Sequence, residues 1–447
     1  MNELQTSDTK SDKQLFLCYL VPTIIAVIVK AILMSIDTVF IGQGFGPLGL
    51  AAVGITMPFN AIFSSLSVFV GIGGAALMSI QFGKGNFTKG QSIFDQSLSF
   101  LTFFSLLIVF LIFIFHQEIV SLLGAEGELK ELIAEYFVYM TTFYFLHTLV
   151  LLLTFFTMND GNPKLPMISM IVGIVVCLIA DYLLIFTFKI GIKGAAIAAA
   201  LTQCAMLIVL FSHFVKKSGR LTITTPKFQF DLITEIFKTG TPSLLIELTA
   251  MVSITVFNII LLKYYTDSHL AAFSLVINLT IITVLLFGGI SQASQPLFSY
   301  SYGTHQYKRI MDLLKLAIGL TVLLGGILLL FGYFNTGLII NFYIEDSKEF
   351  SDLASIAIGF FVLSVPFMGL NLVVSSFFQA VKSSSKSSLI SILRGFVLFL
   401  LGMFLVISLD IENGIWKVTL FAEVVTFFFT LYFLLIYLKR LKLQENI

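Results

Sequence analysis

The sequence predicts an all-α integral membrane protein, with twelve transmembrane helices arranged as two parallel six-helix repeats. Three observations carry that prediction. Of the 447 residues, 57% are hydrophobic and 11% charged, with a mean hydropathy of +1.00, whereas soluble domains hold about a quarter charged residues. Twelve apolar runs are each long enough to cross ~30 Å of hydrocarbon. Residues in the first half also recur in the second at a constant offset of 220. Lipid cannot satisfy an open strand edge, so the runs read as helices. None shows the ten-residue alternation of a membrane barrel.

Taken in order, residues 1–14 are polar and read as a cytoplasmic tail. No small-residue cleavage site follows a short apolar run, so the first apolar segment reads as a retained helix rather than a signal peptide. The N-lobe covers 15–214, with spans at 15–41, 51–74, 92–115, 132–157, 165–188 and 192–214. A basic, polar stretch at 215–235 reads as the cytoplasmic linker. The C-lobe covers 236–438, with spans at 236–263, 269–291, 312–334, 351–380, 387–409 and 414–438, and 439–447 form a second cytoplasmic tail. With the N-terminus inside, eighteen Lys and Arg fall on the cytoplasmic side and six outside when span ends are counted with the loops they adjoin; Lys30 and Arg394, deeper within spans, complete the 26. That bias places both termini in the cytoplasm and the chain in the cell membrane.

The repeat is read from pairs in one register. Pro22 matches Pro242, Leu50-Ala51-Ala52 matches Leu270-Ala271-Ala272, Gly83 matches Gly303, Gly194 matches Gly414, and Glu126 matches Asp346. Six spans is an even number, so both halves start on the same side of the membrane. Repeats of that class place the substrate near the midplane, with the two lobes rocking about it.

Ionisable groups inside the spans are the candidate functional residues. A charge at membrane depth costs at least ~2.5 to 3.5 kcal/mol, so it faces protein or a water-filled cavity. Lys30 and Asp37 lie seven residues apart on the first span, on nearly one side of the helix. Glu247 lies at a depth similar to Lys30 on the seventh span, and the two are expected to face each other across a central cleft as a state-dependent ion pair. Arg394 and Glu423 are expected to bridge spans 11 and 12 and brace the C-lobe. His147 reads first as a hydrogen-bonded core residue, and as a titrating group second. Asn159 and Gln379, 220 apart, are candidates for a gate or turn, and Asn258 and Tyr139 for the cavity. Tyr136 and Tyr144 could also stack on an aromatic cargo, although most of the many aromatics must face lipid or core. Cys18, Cys177 and Cys204 sit in apolar segments without paired spacing, which gives no support to a disulfide or zinc site.

Several stretches together resemble the multidrug and toxic compound extrusion (MATE) transporters. They are SIDTVFIG at 35–42, NDGNPK at 159–164, ADYLLIF at 180–186 with Gly194-Ala195-Ala196, QPLFSYSYG at 295–303, SILRGFVLF at 391–399, GIW at 414–416 and AEVVTFF at 422–428. The last three are similar to the bacterial drug-exporting branches. The resemblance implies an antiporter in which inward proton or sodium flow drives export of a bulky, often cationic and aromatic, molecule. It implies a coupling cation at Asp37, with Asp181 on the fifth span as second carboxylate. Where some relatives carry Asn one turn before that Asp, this chain has Cys177, a poor ligand for a hard cation such as sodium.

Other classes fit less well. GxxxxGK[ST], HExxH and a Cys/His cluster are missing from the sequence, which argues against ATP-driven pumping and metal hydrolysis by this chain. No organic cofactor is expected, only a coupling proton or sodium ion. A net charge of +1 gives no reason to expect nucleic acid. The expected partners are a small-molecule substrate and the bilayer, with the chain acting as a monomer. A flippase for a lipid-linked or amphiphilic substrate is the nearest rival, but the charges away from the span ends, Asp37, Asp181, Glu247 and Glu423 against Lys30 and Arg394, favour cationic cargo. A passive channel would require a repeated filter or hydrophilic ring, which the spans lack.

Overall fold

The computed structural model describes residues 11–123, 127–224, 229–343, 348–409, 411 and 413–445. The pair Glu126 and Asp346, most of the 1–14 tail, residues 225–228 of the linker and the last two residues of the C-terminal tail lie outside them. The described residues are helical throughout, joined by short turns, and fall into two compact units, Met1–Gly240 and Thr241–Ile447.

The first unit opens with α1 (Asp12–Gly83). Its start is a capping box, in which Gln14 N donates to Ser11 Oγ at 3.3 Å and Ser11 N to Gln14 Oε1 at 3.2 Å, satisfying two end donors that helix geometry orphans. At 72 residues a straight helix would run ~108 Å, more than three times the hydrocarbon thickness. It is broken at Gly46, where φ is 62° and ψ −152°, a backbone state that a Cβ forbids. Pro47 follows, pre-set for a first helical turn. There follow α2 (Phe87–Leu122), α3 (Gly127–Asn159), α4 (Lys164–Asp181), a π-helical turn at Tyr182–Thr187, α5 (Ile192–Val215) and α6 (Phe230–Tyr264). The last turn of the predicted linker is therefore already helix. Helix α3 packs on α1, α2 and α5 and forms the hub of this unit.

The second unit continues with α7 (Asp267–Gly303), α8 (Tyr307–Phe334), a short α9 (Thr336–Tyr343) and α10 (Lys348–Ala380). Helix α11 (Ser384–Ile392) passes through a π-helical turn at Leu393–Val397 into α12 (Leu398–Ser408), and α13 (Gly414–Glu445) closes the fold. Its hub is α10, packed on α7, α8 and α13. Eleven helical stretches among the described residues are long and apolar enough to cross a membrane, with α1 counted as one.

Backbone irregularities recur at the sequence offset. Gly46 interrupts α1, and Thr266 (φ −96°, ψ 166°) separates α6 from α7. Phe115 (φ −104°, ψ 17°) breaks α2 where Asn335 (φ −117°, ψ 24°) ends α8. Gly85 and His305 both have positive φ, 76° and 59°. Each of these pairs is 220 residues apart. Five helices end in the same left-handed cap, at Gly85, Gly161, Lys217, His305 and Lys382. In each, two amides fold back onto carbonyls of the last turn, as Gly85 N does to Phe82 O and Asn86 N to Gln81 O. Such a cap pairs carbonyls that the helix end leaves open.

The stretch after α5 is strapped onto the first unit rather than left as a free loop. Asp160, in the turn after α3, is buried and accepts from Arg220 N (3.0 Å), Leu221 N (3.1 Å) and His213 Nε2 (2.8 Å). Thr222 exchanges two bonds with Gln91, N to Oε1 at 3.0 Å and O from Nε2 at 2.6 Å. Thr224 Oγ1 donates to Asp95 Oδ2 at 2.7 Å, and the Arg220 guanidinium lies 4.3 Å from the Phe87 ring centroid. A carboxylate taking several backbone amides in a buried turn is a strong anchor, since hydrogen bonds to charged groups contribute about 1.5 to 3 kcal/mol each.

In Asp160→Ala the strap should loosen locally while the helices persist. Limited trypsin cleavage of the purified protein at Lys216, Lys217 and Arg220 is expected to quicken by at least about tenfold, the factor that ~1.4 kcal/mol of local opening represents.

Candidate functional site

A helix that must cross lipid can present a carboxyl only toward other helices. Asp37 does so from the part of α1 before the break at Gly46, where it is half-buried, and Asp181 from the last residue of α4, where it is 1% exposed. The two carboxyl groups lie within electrostatic range of each other, and Tyr136 of α3 lies within range of both. The π-helical turn beginning at Tyr182 widens the helix directly after Asp181. Such turns displace the following residues around the axis and are frequent at functional positions. Here the turn brings Ile185 against α1 at Gly44, where a Cβ would fall 2.5 Å from Ile185 Cγ2. Phe186 meets Phe40 with ring centroids 5.7 Å apart. Glycine at 44 thus lets the carboxylate-bearing ends of α1 and α4 approach closely.

Polar contacts of Asp181 are asymmetric. Its Oδ2 accepts from Cys177 Sγ at 3.0 Å, and its buried Oδ1 makes no hydrogen bond. Thr202 of α5 lies beside the thiol, with its own hydroxyl donated to Ala198 O at 2.9 Å. Ile41 and Ile185, one turn after Asp37 and Asp181, belong to an apolar cluster that also holds Phe63, Phe137 and Tyr144. Tyr144 stacks on Phe63 at 5.2 Å and donates from Oη to Thr56 O at 3.2 Å. Two acids beside this apolar cluster, one with an open oxygen, form a site able to take up a small cation or a proton. Among the described residues no group of three or more His, Cys, Asp and Glu side chains could hold a metal ion.

The other sequence-selected residues are distributed over both units. Lys30 is half-buried on α1 and within electrostatic range of His147. His147 accepts or donates at Nε2 to Ser64 Oγ, 3.3 Å away, and stacks on Phe143 at 5.3 Å. Glu247 is exposed on α6 and belongs to the second unit, whereas Lys30 belongs to the first. Tyr139 is 40% exposed and lies near Lys193, itself 3.1 Å from Glu135. Asn159 Nδ2 donates back to Phe155 O at 3.0 Å, while Gln379 ties α10 to α6 by bonds of 3.0 and 2.7 Å with Ser243 Oγ. Asn258 is half-buried on α6.

In the second unit Arg394 and Glu423 meet. Arg394 donates from Nε (3.0 Å) and a terminal nitrogen (2.7 Å) to Glu423 Oε1, and Asn371 of α10 donates to Glu423 Oε2 (2.8 Å) and to its carbonyl (2.9 Å). The side chains are 13% and 5% exposed. Arg394 lies in the π-helical turn Leu393–Val397, and there Gly395 O accepts from Ser253 Oγ of α6 at 2.6 Å. A bidentate, desolvated pair with a third polar partner bonds three helical segments together.

Sequence reasoning passed over Thr202, Asn371 and the Asp160–His213 pair. Thr202-Gln203 and Asn371 are polar interruptions of apolar runs, a signal of the same kind that marked Asp37. Asp160 lies in a turn rich in Gly, Asn and Pro, where an acidic residue reads as solvated, and its partner is 53 residues away.

The MatE family model matches residues 22–183 and again 242–405. The two matches begin at Pro22 and Pro242. The multidrug export protein MepA of Staphylococcus saprophyticus is 23% identical over 380 residues, covering 85% of this chain and 84% of that protein. Among solved structures, a MATE protein in the bent conformation superposes with a TM-score of 0.91 at 17% identity, covering both chains fully. The Vibrio cholerae MATE transporter VcmN in its bent form does so with 0.88 at 21% identity, covering 97% of this chain and 98% of that one.

Removing one member of the second-unit ion pair leaves the other buried and uncompensated, at a cost of roughly 3 to 5 kcal/mol. Arg394→Ala is therefore expected to lower the melting temperature and the yield of monodisperse protein in detergent. Arg394→Ala with Glu423→Ala should recover most of both. A double variant no better than the single would show that the pair is not the brace.

Proposed function

The chain belongs to the MatE family, and from that premise we propose that it is a secondary antiporter exporting bulky, cationic or aromatic organic compounds in exchange for protons or sodium. The observation that carries the reading is the carboxylate cluster of Asp37 and Asp181. Two acids held within membrane-crossing helices, in electrostatic range of each other and adjoining an apolar cluster, are costly unless a cation or proton is bound there in part of a cycle. The multidrug export activity in the name of the staphylococcal relative supports the cargo class.

The proposed architecture is twelve membrane helices in two repeats. Its support is the break of α1 at Gly46, the second family match 220 residues after the first, and the backbone irregularities that recur at that offset. Eighteen inward against six outward basic residues support cytoplasmic termini in the cell membrane. The chain is proposed to act as a monomer, without organic cofactor, by alternating access.

Energetically the scheme is adequate. One charge moving inward across 100 mV releases ~2.3 kcal/mol, and a pH or sodium gradient adds to that. Asp37 and Asp181 load from outside and discharge inside, and the change in charge alters which arrangement of the helices around them is favoured. The ion acts through its different affinity for the two states, as any coupled ligand must.

The test is export of fluorescent organic cations from everted membrane vesicles under an imposed pH or sodium gradient. The parent protein should accumulate the dye, and Asp37→Asn, at equal protein level, should lose at least about 90% of the gradient-driven rate, a tenfold effect equivalent to ~1.4 kcal/mol. Asp181→Asn should impair it in the same direction. An Asp37→Asn protein pumping at the parent rate would refute the reading.

A further inference from the structure

We infer that Cys177 is a specificity-determining residue of the carboxylate site and sets it to carry protons in preference to sodium. The inference rests on the antiport reading above and deepens it by naming the ion.

Cys177 lies one helical turn before Asp181 on α4, and both are buried, at 4% and 1% exposure. The thiol donates to Asp181 Oδ2 at 3.0 Å, while Oδ1 of the same carboxyl is buried without a hydrogen bond. The carboxyl therefore has one oxygen covered by S–H and one oxygen open. A proton needs only one acceptor oxygen, and Oδ1 supplies it. A hard metal cation needs a shell of several oxygen ligands.

The groups around the carboxyl do not make such a shell easy to complete. Asp37 comes from α1 and Tyr136 from α3. Thr202 comes from α5, with its hydroxyl proton directed to Ala198 O. On α4, the position that faces Asp181 from one turn away carries sulfur. Sulfur is soft and a weak acceptor. The S–H bond also turns its positive end toward Oδ2, where a cation would have to sit. The thiol acts by occupying one oxygen, as a positioning residue.

An oxygen at position 177 should change the ion and leave the fold alone. The purified protein is reconstituted in liposomes and ethidium transport is measured at fixed membrane potential, with either a pH gradient or a sodium gradient of equal size. The parent protein should respond to pH and respond to sodium at most about one-tenth as strongly. Cys177→Asn and the near-isosteric Cys177→Ser should raise the ratio of sodium-driven to pH-driven transport by about tenfold, the effect of one good ligand to a charged group. A readout free of transport is the melting temperature in detergent with sodium replaced by choline: sodium should stabilise the two variants and not the parent.

A parent protein driven equally by both gradients, or variants that keep the parent ratio and show no sodium-dependent melting, would overturn the role of Cys177 and leave antiport standing. Transport by the parent indifferent to both gradients would remove antiport and this inference together. If Cys177→Asn fails to fold, Cys177→Ser decides the question by the same two measurements.

Discussion

Moving an ionisable group out of water into lipid is so unfavourable that each one must be answered by a specific partner, and the arrangement of this protein follows from those answers. Asp37 and Asp181 are placed on facing helices, with Cys177 and Tyr136 beside them. Arg394 is matched by Glu423, which is in turn matched by Asn371. The two solutions differ in kind. The Arg394–Glu423 pair neutralises itself and leaves no requirement for a ligand, which suits a brace. The pair of acids cannot neutralise itself, which is the ground of the coupling role proposed for it.

Helix irregularities are what allow those groups to meet. A straight helix presents each face at a fixed period, so a close approach of two helices at one chosen depth needs a local change of pitch or a missing side chain. The π-helical turns at 182–187 and 393–397 directly follow Asp181 and contain Arg394. Gly44 removes the side chain that would hold Ile185 away. These two turns do not stand in equivalent positions of the repeat, being 211 residues apart, whereas Gly46, Gly85 and Phe115 have counterparts at 220. The backbone breaks common to both halves set where helices begin and end. The wider turns individualise each half, one beside the Asp181 carboxyl and the other around the Arg394–Glu423 pair.

The strap after α5 shows the same economy in a polar stretch of the chain. Backbone amides of residues 220–222 need acceptors once they pack against helix ends, and Asp160 and Gln91 supply them. Burial of His213 against Asp160 then makes the turn after α3 and the end of α5 a single element. A stretch composed like a solvated linker is in this way made part of the first unit.

By itself the sequence determined the class of protein, the helical segments, the offset of 220, and which acids and bases could not face lipid. Hydropathy and charge are additive along the chain, so they survive without knowledge of neighbours. Asp37, Arg394 and Glu423 were legible for that reason, each being a charge where none is tolerated alone, whereas Asp181 was marked by the family resemblance. Only the tertiary structure decided which groups touch. Tyr136 rather than Tyr139 stands beside the carboxylates, although i and i+3 share a helix face, because packing buries Tyr136 to 3% exposure and leaves Tyr139 40% exposed near Lys193. Asp160 reads as a loop acid until His213 and Arg220 are seen to close over it. A side chain's neighbours are set by packing across distant segments, and packing is not additive along the chain.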